Sequence, residues 1–275
     1  MKKNIFISIL LIIILLLILF IVSDKRIVLH NDTYNTKAEY NTSLSTTANT
    51  TTIQSEITET ATEITTSLYT IVIDPGHQEK GNSEKEPIAP GASETKAKVS
   101  YGTSGVISGI PEYEINLQIS LKLKEELIKR GYNVIMTRET NNVNISNAER
   151  ANIANDINAD AFIRIHCNGS TDSNANGILT MCQTSDNPYC GNIYEKSRSL
   201  SENILSNLCS KTGARNRGVI ETDSMSGINW CQIPVTIVET GFLTNPNEDK
   251  LLNDLSYQYK ISEGIACGID NYLNR

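Results

Sequence analysis

From Tyr69 onward, short apolar runs alternate with longer stretches of helical period, and this alternation limits the possible folds more than any other feature of the chain. Residues 69–73 (YTIVI), 132–138 (YNVIMTR), 161–168 (AFIRIHCN), 177–182 (GILTMC) and 233–241 (IPVTIVETG) have the length and β-branched character of strands. Between them lie helical patterns. In 113–130, Ile115, Ile119 and Leu123 recur every four residues with Leu117, Leu121 and Leu127 alongside. Lys129-Arg130-Gly131 then supplies a basic last turn and a glycine stop. Residues 146–160 read as a helix capped by Ser146 or Asn147, 192–211 as a second, and about 247 to the end as a third. Strands separated by helices need crossover connections. The expected fold is therefore α/β, a mainly parallel twisted sheet with helices on both faces, forming a single domain over 68–275.

The residues before that domain are of other kinds. Residues 5–22 are apolar except for Ser8, long enough as a helix to cross a hydrocarbon core of about 30 Å. Lys2 and Lys3 precede the run, which favours a cytoplasmic N-terminus and export of the rest. No small-residue A-x-A-like cleavage site follows it, so residues 1–23 are expected to be a retained membrane anchor or uncleaved signal, with secretion to the wall as the alternative. Residues 24–67 are rich in Ser, Thr and Asn with sparse apolar residues, the composition of a disordered tether. The formal net charge of −7 argues against a nucleic-acid partner, which needs clustered Lys and Arg. Six cysteines occur without any C-x-x-C pair, so a structural zinc knuckle is not expected, and their disulfide pairing is not readable.

In open parallel sheets, function gathers at the carboxyl ends of the strands. His77 follows the first strand, after Asp74-Pro75-Gly76; His166 closes AFIRIH; Glu239 closes VTIVE. Glu112 and Glu114 open the first helix, which enters from the same edge. Taken singly, each has a plain structural reading: a histidine at a strand end is more often a satisfied polar residue, and a first-turn glutamate is favoured by the helix dipole. Glu239 is less easily dismissed, because an unpaired carboxylate after an apolar strand is costly. Two imidazoles and a carboxylate with an open position form the ligand set of a catalytic zinc, and a second carboxylate can serve as general base.

The stretches IVIDPGH, EYEINLQISLKLKEEL, GYNVIMTRE, ERANIANDINADAFIRIHCN and IPVTIVETGFLTNPNED, in that order, resemble the zinc-dependent N-acetylmuramoyl-L-alanine amidases, the amidase-3 family of bacterial cell-wall hydrolases. The resemblance runs from about Tyr69 to Leu273. It implies an α/β catalytic domain that hydrolyses the amide between N-acetylmuramic acid and the L-alanine of the stem peptide. It further implies one Zn²⁺ held by His77, Glu112 and His166, with Glu239 as the catalytic carboxylate. Spacing alone does not choose between Glu112 and Glu114; the family's E-x-x-x-x-L pattern favours Glu112, five residues before Leu117. Arg138 and Arg150 are expected to be structural, Arg217-Gly218 matches a recurring stretch, and Asp74 is expected to support the loop or to orient His77.

The partners implied are peptidoglycan glycan strands with stem peptides, and the membrane through residues 5–22. Residues 78–111 form a long connection, expected to be a lid, a binding loop or the contact for an activator or regulator protein. Wall remodelling is implied, with spore-cortex maturation, cell separation and turnover left open. Two rivals stand beside this reading: a cysteine hydrolase using Cys167, and a non-catalytic wall-binding scaffold.

Overall fold

The computed structural model describes residues 69–275; the expected anchor at 1–23 and tether at 24–67 lie outside the described residues. Among the described residues no helix is long and apolar enough to cross a membrane. The described residues hold eight strands: β1 (Thr70–Pro75), β2 (Asn82–Pro87), β3 (Thr95–Val99), β4 (Asn133–Met136), β5 (Ala161–Asn168), β6 (Ile178–Cys182), β7 (Asn216–Glu221) and β8 (Val235–Phe242). The helices are α1 (Glu112–Lys129), α2 (Asn147–Asp156), α3 (Tyr194–Thr212), α4 (Ser226–Asn229), α5 (Pro246–Leu252) and α6 (Leu255–Leu273). Six strands form one sheet in the order β4-β1-β5-β8-β6-β7, and β2-β3 form a separate antiparallel pair.

The four strands β4, β1, β5 and β8 are mutually parallel, as the strand–helix alternation requires. Their side chains divide by the two-residue period of a strand. Ile71, Ile73, Ile163 and Ile165 face one way, into a core shared with Ile115, Ile119 and Leu123 of α1, Leu200 and Ile204 of α3, and Ile261 and Ile265 of α6. Val72, Phe162 and Ile237 face the other way, into a smaller core with Ala151 and Ala154 of α2 and Ile228 of α4. Both faces are thus covered, and β1 and β5 are buried on each side.

Four local features depart from the expectation. Strand β6 pairs antiparallel to β8, and β7 pairs parallel to β6, so these two strands at one end of the sheet run against the other four. Strand β7 was not foreseen, because NRGVIE carries only two apolar residues, bends at a register shift and places Gly218 at φ 87°. The 78–111 connection is not an irregular loop; it contains the β2-β3 hairpin, with Ile88 and Ala89 buried. The last helical stretch is two helices. Asp254 accepts from the Tyr257 N–H at 2.9 Å and caps α6, which makes a fresh start after the chain leaves α5. The start of α2 follows its sequence: Ser146 and Glu149 form a reciprocal capping box.

Candidate metal centre

The turn after β1 sets the first imidazole. His77 adopts φ 59°, a left-handed conformation that is uncommon for a residue with a side chain and occurs in strained functional segments. Gly76 is required before it, because a Cβ there would overlap the His166 ring. The turn is held from behind by arginines. Arg138 donates to the carbonyls of Pro75 (2.8 Å), Gly76 (3.0 Å) and Tyr113 (2.8 Å). Arg150 donates to Pro75 O (3.0 Å) and His77 O (3.1 Å). Both therefore serve the backbone, as their sequence context suggests.

Glu112 occupies the first turn of α1 and is buried between the two histidines. Its Oε1 lies 3.1 Å from His77 Nε2 and 3.2 Å from His166 Nδ1. It also accepts from the Asn116 amide and the Cys167 N–H, both at 3.2 Å, while Oε2 accepts from the Thr103 N–H at 2.9 Å. The imidazoles meet edge to face, with centroids 4.8 Å apart. Donor atoms of His77, Glu112 and His166 all lie within 4.8 Å of one another. Glu114, two residues along the helix, is not in this group.

The second ring nitrogen of His77 meets Ser100 O at 2.9 Å. A carbonyl only accepts, so Nδ1 carries the proton and Nε2 is left as a donor of electrons toward the cluster. Of the two expectations for Asp74, orienting His77 is not met, while support of the loop is met through Arg150. The buried Asp74 carboxylate does not touch His77; it accepts from Thr137 (2.5 Å), Arg150 (2.7 Å) and Arg164 (2.9 Å). Burial alone would push its pKa up, but the two guanidinium groups overcome this and hold it far below the usual carboxylate range.

The donor set fits a divalent cation such as zinc. Metal ligands must be deprotonated, and this site favours that state. Burial pushes the His166 imidazolium down to about 4. Burial also works to raise Glu112, yet the two imidazoles beside it leave it well below the usual range. His166 Nε2 is buried with no hydrogen-bond partner, an expensive state for a polar atom unless something else occupies it.

Glu239 sits directly opposite His166 in the parallel β5–β8 register. Its Oε2 is likewise buried without a partner. Burial, reinforced by the Glu112 charge, raises its pKa to about 8. His77, His166 and Glu239 line one cavity of about 260 Å³. Its other walls come from Val99 at the end of β3 and Ser100 after it, from Asn147 at the start of α2, and from Ser226 and Gly227 of α4. The 78–111 segment thus forms one side of the cavity.

Cys167 lies on the opposite side of β5. Its Sγ contacts Thr240 Oγ1 at 3.3 Å within the larger core, and burial pushes the thiol well above its ordinary pKa. It has neither the thiolate nor the imidazole partner that a nucleophilic cysteine needs. Ser100, Thr103 and Arg164 escaped the sequence reading. Two act through backbone atoms on a loop, which carry no residue-type signal, and Arg164 sits inside an apolar run that otherwise reads only as strand.

Known proteins resemble the chain in sequence and fold. The chain is 32% identical over 197 residues to the uncharacterized protein YqiI of Bacillus subtilis, a match covering 69% of this chain and 91% of YqiI. It is 30% identical to the B. subtilis N-acetylmuramoyl-L-alanine amidase LytC, covering 74% of this chain but only 35% of LytC. Among solved structures, the N-acetylmuramoyl-L-alanine amidase of Clostridium difficile 630 superposes with a TM-score of 0.62 at 30% identity, covering 76% of this chain and 98% of that one. The CwlD amidase of Clostridioides difficile, solved in complex with the GerS lipoprotein, superposes with a TM-score of 0.59 at 28% identity, covering 75% and 98%. The Amidase_3 model, described as N-acetylmuramoyl-L-alanine amidase, matches residues 71–271, and the chain belongs to that family.

Proposed function

We propose that this protein is a zinc-dependent N-acetylmuramoyl-L-alanine amidase that cleaves the amide between N-acetylmuramic acid and the L-alanine of the stem peptide. The observation that carries this reading is the convergence of His77, Glu112 and His166 beside the unpartnered Glu239 carboxyl, in one cavity at the carboxyl edge of the sheet. His77, Glu112 and His166 would hold the metal. When bound, zinc supplies a Lewis acid for the scissile carbonyl and lowers the pKa of water.

The chain's own residues do the rest. Ser100 O fixes the tautomer of His77, and the Gly76 turn leaves room for the His166 ring. Glu239, whose Oε2 faces this cluster without a hydrogen-bond partner, takes a proton and gives it back. It accepts a proton from the attacking water as the C–O bond forms. It then returns that proton to the alanine nitrogen as the C–N bond breaks.

In this reading residues 1–23 anchor the chain to the membrane, residues 24–67 tether it, and residues 68–275 act on the wall from its outer face. The tether would raise the local concentration of the catalytic domain at membrane-proximal wall. Wall remodelling, in cortex maturation or cell separation, is the biological setting proposed. A regulator protein at the 78–111 segment is part of the same proposal; the neighbour solved with a lipoprotein supports it, as does the position of Ser100 within this segment.

The test is metal content and product release. The protein is expected to hold close to one zinc per chain and to release stem peptides with a free L-alanine amino group from purified peptidoglycan. Chelator should stop this and added zinc restore it. A Glu239→Gln protein should keep its zinc and lose roughly 10²–10⁴ in rate. Cleavage that survives chelation, or zinc bound by a His77→Ala protein as tightly as by wild type, would sink the assignment.

A further inference from the structure

Arg164 stands two residues before His166 on β5, so both side chains leave the same face of the sheet and line the same cavity. It is 4% exposed. Its Nε donates to Asp74 Oδ2 at 2.9 Å and its Nη2 to Asn147 Oδ1 at 2.8 Å. Nη1 donates to no group among the described residues, and no ion pair joins Arg164 to Glu239. A guanidinium has five N–H donors, so a free edge faces the cavity.

The charge balance around it is uneven. Asp74 is the one carboxylate paired with Arg164, and it is shared with Arg150 at 2.7 Å. Arg138 lies against the same turn and bonds only oxygens without formal charge. Three buried guanidinium groups thus sit behind the cavity and form ion pairs with one carboxylate, Asp74, while Glu239 lines the same cavity and feels the Arg164 charge without bonding to it. A buried guanidinium edge with no bonded oxygen favours an arriving acceptor. Space for the guanidinium is built in: a Cβ on Gly227 would overlap Arg164 Nη1 and Cζ. Helix α4 therefore carries a glycine where the arginine must lie flat against the backbone.

The substrate class proposed above offers few anions close to its scissile bond. The lactyl carbonyl and the alanine nitrogen form the amide itself, the alanine carboxyl is in a peptide bond, and the sugar hydroxyls and acetamido group are neutral. The first free carboxylate belongs to the amino acid after L-alanine. We propose that the Nη1 edge of Arg164 binds that carboxylate, and that the site selects stem peptides in which this group is a free acid rather than an amide. The inference rests on the amidase reading for its ligand. A charge-assisted bond to guanidinium is stronger than one to a neutral amide, and the amide's NH₂ would present donors to donors.

The probes are N-acetylmuramoyl-L-alanyl-γ-D-glutamyl-L-lysinamide and its glutamyl α-amide, so that the α-group is the one difference and the amide carries no carboxylate. Binding of each to full-length Glu239→Gln protein is measured by calorimetry with zinc present, and kcat/KM for each with wild type. The acid is expected to bind about tenfold tighter or more. Adding Arg164→Gln should bring the two within about twofold by weakening the acid alone. Gly227→Ala, which displaces the guanidinium while keeping its charge and its Asp74 partner, should reduce the preference in the same direction. It serves as the second variant if Arg164→Gln unfolds. Equal affinity for the two probes, no measurable binding of the acid, or a preference that survives in a folded Arg164→Gln or Gly227→Ala protein overturns the proposal. Acid-selective binding with no turnover of either probe or of peptidoglycan would leave the carboxylate site standing and remove the hydrolytic reading. Turnover of both probes at equal kcat/KM with equal affinity would do the reverse.

Discussion

At the scale of single residues, the candidate site depends as much on absent atoms as on ligands. Gly76 and Gly102 both border the cluster. A Cβ on Gly76 would overlap the His166 ring, and one on Gly102 would come within 2.7 Å of Glu112 Oε2. Gly102 also has φ 79°, a left-handed conformation open to glycine at little cost. His77 holds its own left-handed conformation without that freedom, against a cost of about 1–3 kcal/mol. The hydrogen bonds from Arg138 and Arg150 to the carbonyls of residues 75–77 oppose relaxation of this turn. Gly76→Ala is accordingly expected to weaken zinc binding by about 10–100-fold, the range seen when ligand support is lost. Competition with a chromophoric chelator checks this; unchanged affinity would show that the His166 ring can move aside freely.

At the scale of elements, the β2-β3 hairpin converts a long connection into one wall of the cavity. It is pinned at several points outside its own pairing. Trp230 Nε1 donates to Pro87 O at 2.9 Å, Lys96 Nζ to Ser224 O at 2.7 Å, and Asn147 Nδ2 to Lys98 O at 2.8 Å. Its exit leads straight to Ser100, whose carbonyl receives the His77 proton. Trp230→Phe keeps the ring's bulk and removes one of these ties, so a loss of about 1 kcal/mol is expected. The effect should be local. Amide exchange should quicken in 82–99 while the β1, β5 and β8 amides keep their protection. Faster exchange in the central sheet as well would mean that the hairpin and sheet open as one unit.

At the scale of the whole molecule, two buried groups of opposite habit shape the pH dependence of stability. Glu239 has its pKa raised from 4.5 to about 8, so between those values the folded protein binds more protons than the unfolded chain, and stability falls as pH rises. His166 has its pKa lowered from 6.5 to about 4, so between those values the unfolded chain binds more protons, and stability climbs as pH rises. Asp74 and Glu112, both depressed, add stability that is fully present above their unfolded values and lost only below about pH 4.5. For metal-free protein the two opposed effects offset between about pH 4.5 and 6.5. From 6.5 to 8 the Glu239 effect stands alone, and stability should fall by on the order of 2 kcal/mol. Thermal unfolding in chelator across this range tests the balance. Glu239→Gln should abolish the fall above 6.5 and expose the His166 rise below it. A wild-type profile that rises from 6.5 to 8 would contradict the burial assigned to Glu239.

The layered α/β plan, the two faces of the sheet and most helix limits were legible in the sequence, because each is written in local periodicity. Ile71, Val72 and Ile73 announce a strand buried on both sides, Ile115, Ile119 and Leu123 one face of a helix, and Ser146 or Asn147 the start of another. The positions of His77, His166 and Glu239 followed from one rule about strand ends. Spacing alone left Glu112 and Glu114 open, since both lie in one helical turn; the family's E-x-x-x-x-L pattern pointed to Glu112, and the structure places that carboxylate between the imidazoles. The reversed strands β6 and β7 needed the structure, because strand direction depends on pairing between distant segments. So did the Ser100 carbonyl on His77 and the arginines gathered around Asp74. Side-chain period is a property of neighbours in the chain, whereas hydrogen-bond partners and charge balance belong to residues brought together only when the sheet closes.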